Sequence, residues 1–224
     1  MKKLILATAL SVMPIISVSA QEVALETDED KLSYALGMLM GERVLKNYGD
    51  SLNYDTIKAA MQAQHKGEET QLTIDEAQQF LGEFENKRRE ELAAAAVEGG
   101  KKFLEDNAAR EEVTVTDSGL QWEVLEPGDG EKPTIDATVS VHYVGTLTNG
   151  TEFDSSIARG QPAEFPLKGV IPGWTEGLQL MPIGSKYRFV IPSDLAYGER
   201  GAGANIGPNE TLVFEVELLE IKDQ

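Results

Sequence analysis

The chain contains no cysteine, and only two histidines occur among its 224 residues. Without cysteine it forms no disulfide, offers no thiol nucleophile and carries no site for lipidation at an N-terminal cysteine. The two histidines, His65 and His142, lie far apart in the sequence, so neither a zinc site nor a histidine-based catalytic triad is expected. We therefore predict that the protein uses no metal ion and no other cofactor.

Positive charge is also scarce. Lysine and arginine number 20 against 38 aspartates and glutamates, which gives a formal net charge of −18 at pH 7. A chain this acidic is kept in solution by its charge and repels both the phosphate backbone of nucleic acids and anionic membrane surfaces. Nucleic acid is therefore not an expected partner.

Long apolar runs are missing after the first twenty residues. At the N-terminus a basic pair, Lys2 and Lys3, precedes an apolar run from Leu4 to Val18, and small residues follow. This order predicts a cleaved signal peptide at residues 1–20, the alternative being a buried N-terminal strand or helix. The run is too short for an ordinary membrane span. We expect an exported bacterial protein that is periplasmic or associated with the outer membrane.

Residues 21–112 show helical periodicity. Thr27 is a predicted N-cap for a first helix that extends to about Asn47, and a second helix is predicted from Asp55 to Lys66. Within the first helix, Gly37 and Gly41 lie four residues apart on one face. This spacing allows close helix crossing, and two interpretations remain open: contact between two chains, or packing within one chain.

A third helix is predicted to be long. Thr73 and Glu76 form a capping box at its start, and helical sequence continues to Arg110, a length of about 57 Å at 1.5 Å per residue. After Lys87 the residues are mostly charged or alanine, which predicts an arm that crosses solvent and buries little. The pair Gly99-Gly100 is a predicted weak point that costs about 2 kcal/mol relative to two alanines.

Three helices with one apolar stripe each supply too little core for an independent monomeric domain. We therefore predict a homodimer that forms through the N-terminal helices. Residues 21–112 are accordingly assigned to a helical dimerisation module with a long linking helix. The stripe residues that need partners are Leu32, Leu36, Leu39, Ile57, Met61, Ile74 and Phe84.

Residues 113–224 change to strand periodicity. A hairpin signal at Asn149-Gly150 separates two of the alternating segments, and one short helix is predicted near Trp174 to Leu180. The predicted strands cover residues 118–125, 138–147, 151–154, 185–191 and 211–221. The fold class is therefore α+β, with an antiparallel sheet that wraps on a short helix.

Three segments of this region together resemble the FKBP-type peptidyl-prolyl cis-trans isomerases. They are VHYVGTLTNGTEFDSS, VIPGWTEGLQLMPIG and VIPSDLAYGERGAGANIGPNETLVFEVELLEI. The helical region, with DKLSYALGMLMGE and a capped long helix, is similar to the macrophage infectivity potentiator subfamily of exported bacterial isomerases. The resemblance implies an FKBP-like isomerase domain at residues 113–224.

The resemblance also implies a binding pocket and the residues that form it. Asp154 and Tyr197 match the catalytic positions, with Asp154 acting through hydrogen bonds and charge and Tyr197 as a hydroxyl donor. The implied substrate-binding residues are Tyr143, Phe153, Arg159, Phe165, Val170, Ile171, Trp174, Ile206 and Phe214. Inhibitors of the FK506 or rapamycin type are implied ligands. Two departures, Ala163 and the glycine-rich flap at residues 198–207, affect the expected peptide preference and inhibitor affinity.

Isomerisation about the bond that precedes proline breaks no covalent bond, so it requires neither a nucleophile nor a metal ion. An apolar, water-poor pocket that prefers the twisted amide is sufficient. The expected substrates are proline-containing unfolded or exported polypeptides. Two other functions remain open: a holding chaperone with secondary isomerase activity, motivated by the helical arm, and a structural or adhesion-related domain with an inactive site.

Overall fold

The computed structural model describes residues 23–45, 48–49 and 52–222. The predicted signal peptide lies outside these residues. The chain divides into two compact units, one that ends at Gln71 and one that begins at Leu72. In the part of the chain that the structure describes, no helix combines the length and the apolar content that a membrane crossing requires.

The first unit contains two helices, α1 (Asp28–Arg43) and α2 (Tyr54–Lys66). Thr27 and Asp30 cap α1 reciprocally, because each side chain accepts a hydrogen bond from the other residue's amide. Helix α2 ends at Gly67, whose φ of 69° suits glycine. Both helices are confirmed, although α1 stops before the predicted end, Asn47, which lies outside the described residues. Neither helix buries any residue.

Helix α3 (Ile74–Ala108) opens the second unit and begins with the predicted capping box of Thr73 and Glu76. Its C-terminal third differs from the prediction of a solvent-crossing arm, because Gly100 and Asn107 are buried. A Cβ atom at Gly100 would lie 2.6 Å from the Thr211 side-chain oxygen. Gly100 is therefore a contact point rather than a weak point, since only glycine lets the helix approach the sheet domain this closely.

The remaining chain forms a seven-stranded antiparallel sheet in the order β1-β2-β6-β7-β3-β4, with β5 paired to β3. Strands β4 and β5 share one edge of β3, while β7 pairs along the other edge. The predicted strands are confirmed within a few residues, whereas β1 and β5 were not predicted. The bounds are β1 (Thr114–Val115), β2 (Gln121–Glu126), β3 (Thr138–Leu147), β4 (Glu152–Ser155), β5 (Ala163–Pro166), β6 (Lys186–Ile191) and β7 (Leu212–Lys222).

Helix α4 (Pro172–Leu178) packs on one face of the sheet, as predicted for the segment near Trp174. Proline at its first position suits a helix start, because that amide has no partner inside the helix. The core between α4 and the sheet is built from fully buried residues of several strands, among them Val139, Phe189 and Val216. This core fixes the position of Trp174, which is central to the site.

Candidate active site

An aromatic cavity of about 420 Å³ opens between α4 and one end of the sheet. Trp174 from α4 is packed edge-to-face by three rings, with centroid distances of 5.1 Å to Tyr143, 5.4 Å to Phe165 and 5.1 Å to Phe214. These residues come from α4, β3, β5 and β7, so the cavity exists only when the helix and these three strands are assembled. Its lining is Tyr143, Phe153, Asp154, Phe165, Gly169, Val170, Ile171, Trp174, Tyr197 and Phe214.

The indole N–H of Trp174 is buried and has no hydrogen-bond partner among the described residues. The rings of Tyr143, Phe165 and Phe214 surround it at interplanar angles of 78° to 89°. Trp174 is therefore held as an apolar floor rather than as a polar anchor.

A polar cluster borders the cavity on the side where β4 ends. The Tyr143 hydroxyl donates to Asp154 Oδ2, and Arg159 Nη1 donates to Asp154 Oδ1. Arg159 Nη2 also donates to the Tyr143 hydroxyl at 2.8 Å, and the guanidinium carbon lies 5.5 Å from the centroid of the Tyr143 ring. The three side chains thus fix each other at the mouth of the cavity.

These contacts keep Asp154 ionised. Partial burial by itself would raise the pKa of this carboxyl, but hydrogen bonds from Tyr143 and Arg159 and the positive charge of Arg159 outweigh burial and lower the pKa below its usual value. Burial, followed by the hydrogen bond to Asp154, raises the pKa of Tyr143. At neutral pH the cluster therefore consists of a carboxylate, a neutral phenol and a guanidinium, and none of the three is close to titration.

Two donors near the cavity remain available for a ligand. The Tyr197 side chain is 41% exposed, and its hydroxyl has no partner among the described residues. The amide of Ile171, which lies just before α4, likewise makes no hydrogen bond within the described part of the chain. A carbonyl group that enters the cavity would meet these donors above an apolar floor. This arrangement favours the twisted amide, which is less polar than the planar one.

The glycine-rich flap, residues 198–207, borders the cavity on its other side. A smaller cavity of about 250 Å³ is lined by Phe153, Asp154, Tyr197 and the flap residues up to Ile206. The flap is closed by a bridge in which the amides of Ala202 and Ile206 each donate to the other residue's carbonyl, at 2.9 and 3.2 Å. Ile206 thus lies beside the aromatic cavity rather than in its lining.

The predicted site residues fall into two groups. All line the aromatic cavity except Arg159, which holds Asp154 and Tyr143, and Ile206, which lines the adjoining cavity. Their roles in catalysis stay predictions. Gly169 lines the cavity and was not predicted. Gly145 was also missed: a Cβ atom there would lie 2.7 Å from the rings of Phe153 and Phe214. A glycine inside strand β3 was the available signal for such a close approach.

Two family profiles match this chain. A family profile described as FKBP-type peptidyl-prolyl cis-trans isomerase matches residues 129–219, and another, described as the domain amino terminal to that isomerase, matches residues 29–124. The FKBP-type 22 kDa peptidyl-prolyl cis-trans isomerase of Escherichia coli K12 is 46% identical over 200 residues, which are 88% of this chain and 97% of that protein.

Two further similarities cover most of the chain. The outer membrane protein MIP of Legionella longbeachae is 43% identical over 206 residues, 89% of this chain and 88% of that protein. The crystal structure of FkpA from Escherichia coli matches with a TM-score of 0.64 and 40% identity, and the match covers 89% of this chain and 99% of that one. The predicted fold class is confirmed by this structural match.

Proposed function

The chain belongs to the FKBP-type peptidyl-prolyl cis-trans isomerases, and we propose that it accelerates rotation about X-Pro bonds in the aromatic cavity over Trp174. One observation carries the assignment of the site. An apolar floor of packed aromatic rings lies next to two donors, the Tyr197 hydroxyl and the Ile171 amide, that have no partner among the described residues. The isomerase domain is proposed to comprise residues 113–224.

The geometry explains how such a cavity lowers the barrier. Rotation about an amide costs about 20 kcal/mol because conjugation is lost, and the twisted state is less polar than either planar state. An apolar cavity destabilises the planar, more polar amide relative to the twisted one. The proline ring packs against Trp174, while Tyr197 and Ile171 hold carbonyl oxygens of the substrate.

Asp154 acts in this mechanism through position and charge. Its carboxylate is engaged by Tyr143 and Arg159 and remains ionised, and the reaction transfers no proton. The carboxylate orients the Tyr143 ring against Trp174 and contributes a fixed negative potential at the mouth of the cavity. Arg159 completes this cluster and is proposed to touch substrate only at the rim.

The assignment is tested by a matched pair of tyrosine variants. Tyr197→Phe removes the available hydroxyl, and kcat/KM for a short X-Pro peptide should fall about tenfold, the effect of one lost hydrogen bond of about 1.4 kcal/mol. Tyr187→Phe removes the hydroxyl of a buried ring that stacks on Trp122 outside the cavity. This control should retain activity, and equal losses in both variants would contradict the assignment.

A second function, chaperone action by a dimer, is favoured by the helices of the first unit. Leu32, Leu36 and Met38 of α1 are 61%, 55% and 62% exposed, and no residue of α1 or α2 is buried. Surfaces this apolar usually bind a partner. We propose that residues 21–112 provide a dimerisation module and linking helix, and that two linked sites retain one unfolded client better than one site does.

This second function predicts a specific separation of activities. Removal of the first unit should slow the proline-limited refolding of a long protein client, because the second site is lost. Turnover of a short X-Pro peptide should stay within about twofold, because every residue that lines the cavity belongs to the second unit. Equal refolding rates with and without the first unit would argue for isomerase action alone.

Export and inhibitor binding complete the proposal. The N-terminal sequence pattern supports cleavage near residue 20 and a periplasmic or outer-membrane-associated location. The latter agrees with the name of the Legionella relative. Cell fractionation of the expressed full chain tests this location.

FK506- or rapamycin-type inhibitors are proposed to fill the cavity above Trp174. Their binding should quench tryptophan fluorescence, and this quenching should be absent in Trp174→Phe.

A further inference from the structure

Helix α3 diverges from the sheet domain along one of its faces. Residues at alternating spacings of four and three lie on one side of a helix. Along this side, Arg89 is exposed, Ala93 and Ala96 are half-buried, and Gly100 and Asn107 are buried. Burial along this side is therefore greatest in the C-terminal third of the helix, and near Arg89 an opening separates the helix from the domain.

The opening is a polar groove of about 380 Å³, nearly as large as the aromatic cavity. Its lining is Asn86, Arg89, Glu90 and Ala93 of α3 together with Glu199, Pro208 and Asn209. The second wall is held in shape, because the Asn209 amide donates to the Gly198 carbonyl at 2.9 Å. Asn209 has a φ of 59°, a conformation that asparagine tolerates better than most residues.

The polar side chains of this groove have no partners within the described part of the chain. Within the described part of the chain, no side-chain hydrogen bond or ion pair is formed by Asn86, Arg89, Glu90, Glu199 or Asn209. Neighbouring charges on the same helix behave differently, since Arg88 pairs with Glu85 and Lys87 pairs with Glu91. The groove therefore presents donors and acceptors to whatever enters it.

The polar groove adjoins the site already described. Tyr197 lines the aromatic cavity, and Glu199, two residues later in a 3-10 turn, lines the groove. Because the chain spans at most about 3.6 Å per residue, the Cα atoms of these two residues lie within about 7 Å of each other. A polypeptide whose proline occupies the cavity therefore meets the groove within a few residues.

We propose that this polar groove is a second subsite of the isomerase, which binds the main chain of the substrate in extended form a few residues away from the X-Pro bond. The inference rests on the proposed function. Carboxamides on both walls, Asn86 and Asn209, each offer a donor and an acceptor, as a peptide main chain does. The lining carries one arginine and two carboxylates, Glu90 and Glu199, which disfavours anionic ligands, and the absence of large apolar side chains from the lining disfavours an apolar anchor.

Filling the groove tests the proposal without removing any interaction. Ala93→Trp places a large side chain in the groove, while Ala95→Trp makes the same change on an exposed position of the same helix. The substrates are an X-Pro tetrapeptide and two longer peptides that extend it on one side or the other. In the wild-type full chain, one longer peptide should exceed the tetrapeptide in kcat/KM by roughly threefold to tenfold, the effect of one or two hydrogen bonds.

Ala93→Trp should abolish this advantage and leave tetrapeptide turnover unchanged, whereas Ala95→Trp should preserve both.

A second pair of variants removes charge instead of adding bulk. Arg89→Ala should reduce the kcat/KM advantage of the longer peptide, and Lys87→Ala should not. Backbone amide shifts at Asn86 and Arg89 should respond to the longer peptide only. The subsite is overturned if neither longer peptide has an advantage, or if Ala93→Trp and Ala95→Trp behave alike. Failure to turn over any X-Pro peptide would instead overturn the proposed function.

Discussion

Both units of this chain contain capped helices, but only the second unit buries a hydrophobic core among the described residues. Helices α1 and α2 have well-formed N-caps and carry apolar side chains, yet they bury no residue, and Leu32 and Leu36 stay more than half exposed. The sheet domain buries Phe189, Leu178 and Val216 completely around α4. Capping signals therefore specify where a helix begins but do not supply a core. The sheet domain thus has a core of its own, whereas α1 and α2 have no buried residue, and we expect them to need a partner.

The largest expected effect concerns assembly. The full chain should scatter light as a dimer, near twice the 24.4 kDa mass of one chain before processing, and residues 72–224 alone should scatter as a folded monomer. Leu36→Lys places a charge among the exposed apolar side chains of α1 and should weaken the dimer, while Leu36→Met, which keeps this position apolar, should not. A monomeric full chain would show that the first helices do not need a partner.

The next effect concerns the junction of α3 with the sheet. Arg110 donates to both Glu123 oxygens at 3.0 and 2.5 Å, Arg188 donates to one of them at 3.0 Å, and the Glu123 side chain is only 7% exposed. Glu123→Ala leaves two arginines without this partner and should lower the free energy of unfolding by about 3 kcal/mol. Glu126→Ala, at the exposed end of the same strand, should change it by less than about 0.5 kcal/mol. Urea unfolding measures both.

The same carboxylate makes a testable contribution to pH dependence. Burial would raise the pKa of Glu123, but hydrogen bonds from Arg110 and Arg188 outweigh burial and lower it. A group with a lowered folded pKa stabilises the protein above its unfolded pKa, here 4.5, and loses this contribution as pH falls through the folded value. The difference in the free energy of unfolding between wild type and Glu123→Gln should therefore decrease below about pH 4.5. If this difference increases there instead, Glu123 does not form a stabilising ion pair.

A smaller effect distinguishes two adjacent glycines of α3. Gly99 has open space around it, while Gly100 faces Thr211 at contact distance. Gly99→Ala should raise the free energy of unfolding by about 0.5 to 1 kcal/mol through helix propensity. Gly100→Ala should lower it by about 1 to 2 kcal/mol, because the added methyl group forces α3 away from the sheet. If both substitutions stabilise, α3 is not docked at this point.

The smallest expected effect is that of pH on catalysis in the aromatic cavity, where we expect no change in the neutral range. Asp154 stays ionised and Tyr143 stays neutral across the neutral range, and the reaction transfers no proton. Between about pH 5.5 and about pH 9, kcat/KM for an X-Pro peptide should therefore be flat. The profiles of the full chain and of residues 72–224 should superimpose. A bell-shaped profile would indicate a general acid or base that this mechanism lacks.

The sequence was sufficient for elements that carry strong local signals. Helix α2 has Asn53 and Gly67 at its ends, and β3 alternates over ten residues up to the Asn149-Gly150 turn. Strand β1 has two residues, and β5 has four and ends in Pro166. Neither is long enough to show a period, so both are recognisable only from their pairing with β2 and β3.

Long-range contacts could not be predicted in this way. Asn107 and Gln121 look like surface residues in the sequence, yet the Asn107 amide donates to Gln121 at 2.8 Å, and Gln121 donates to the Leu104 carbonyl at 2.9 Å. Gly100 was predicted to be a weak point because helix propensity considers only local sequence. The structure shows that glycine is needed there because Thr211, which is distant in sequence, lies against the helix. The cavity residues were predicted from family resemblance, because single aromatic residues are more often core than site.

The docked end of α3 also determines how the second unit moves in solution. At 1.5 Å per residue, its 35 residues extend for about 52 Å, and its last turns are fixed to the sheet by Gly100, Asn107 and Arg110. A helix anchored in this way tumbles with the domain that it joins. Rotational diffusion of the aromatic cavity is therefore slowed to that of the combined body, and a polypeptide bound there cannot reorient independently of the helix.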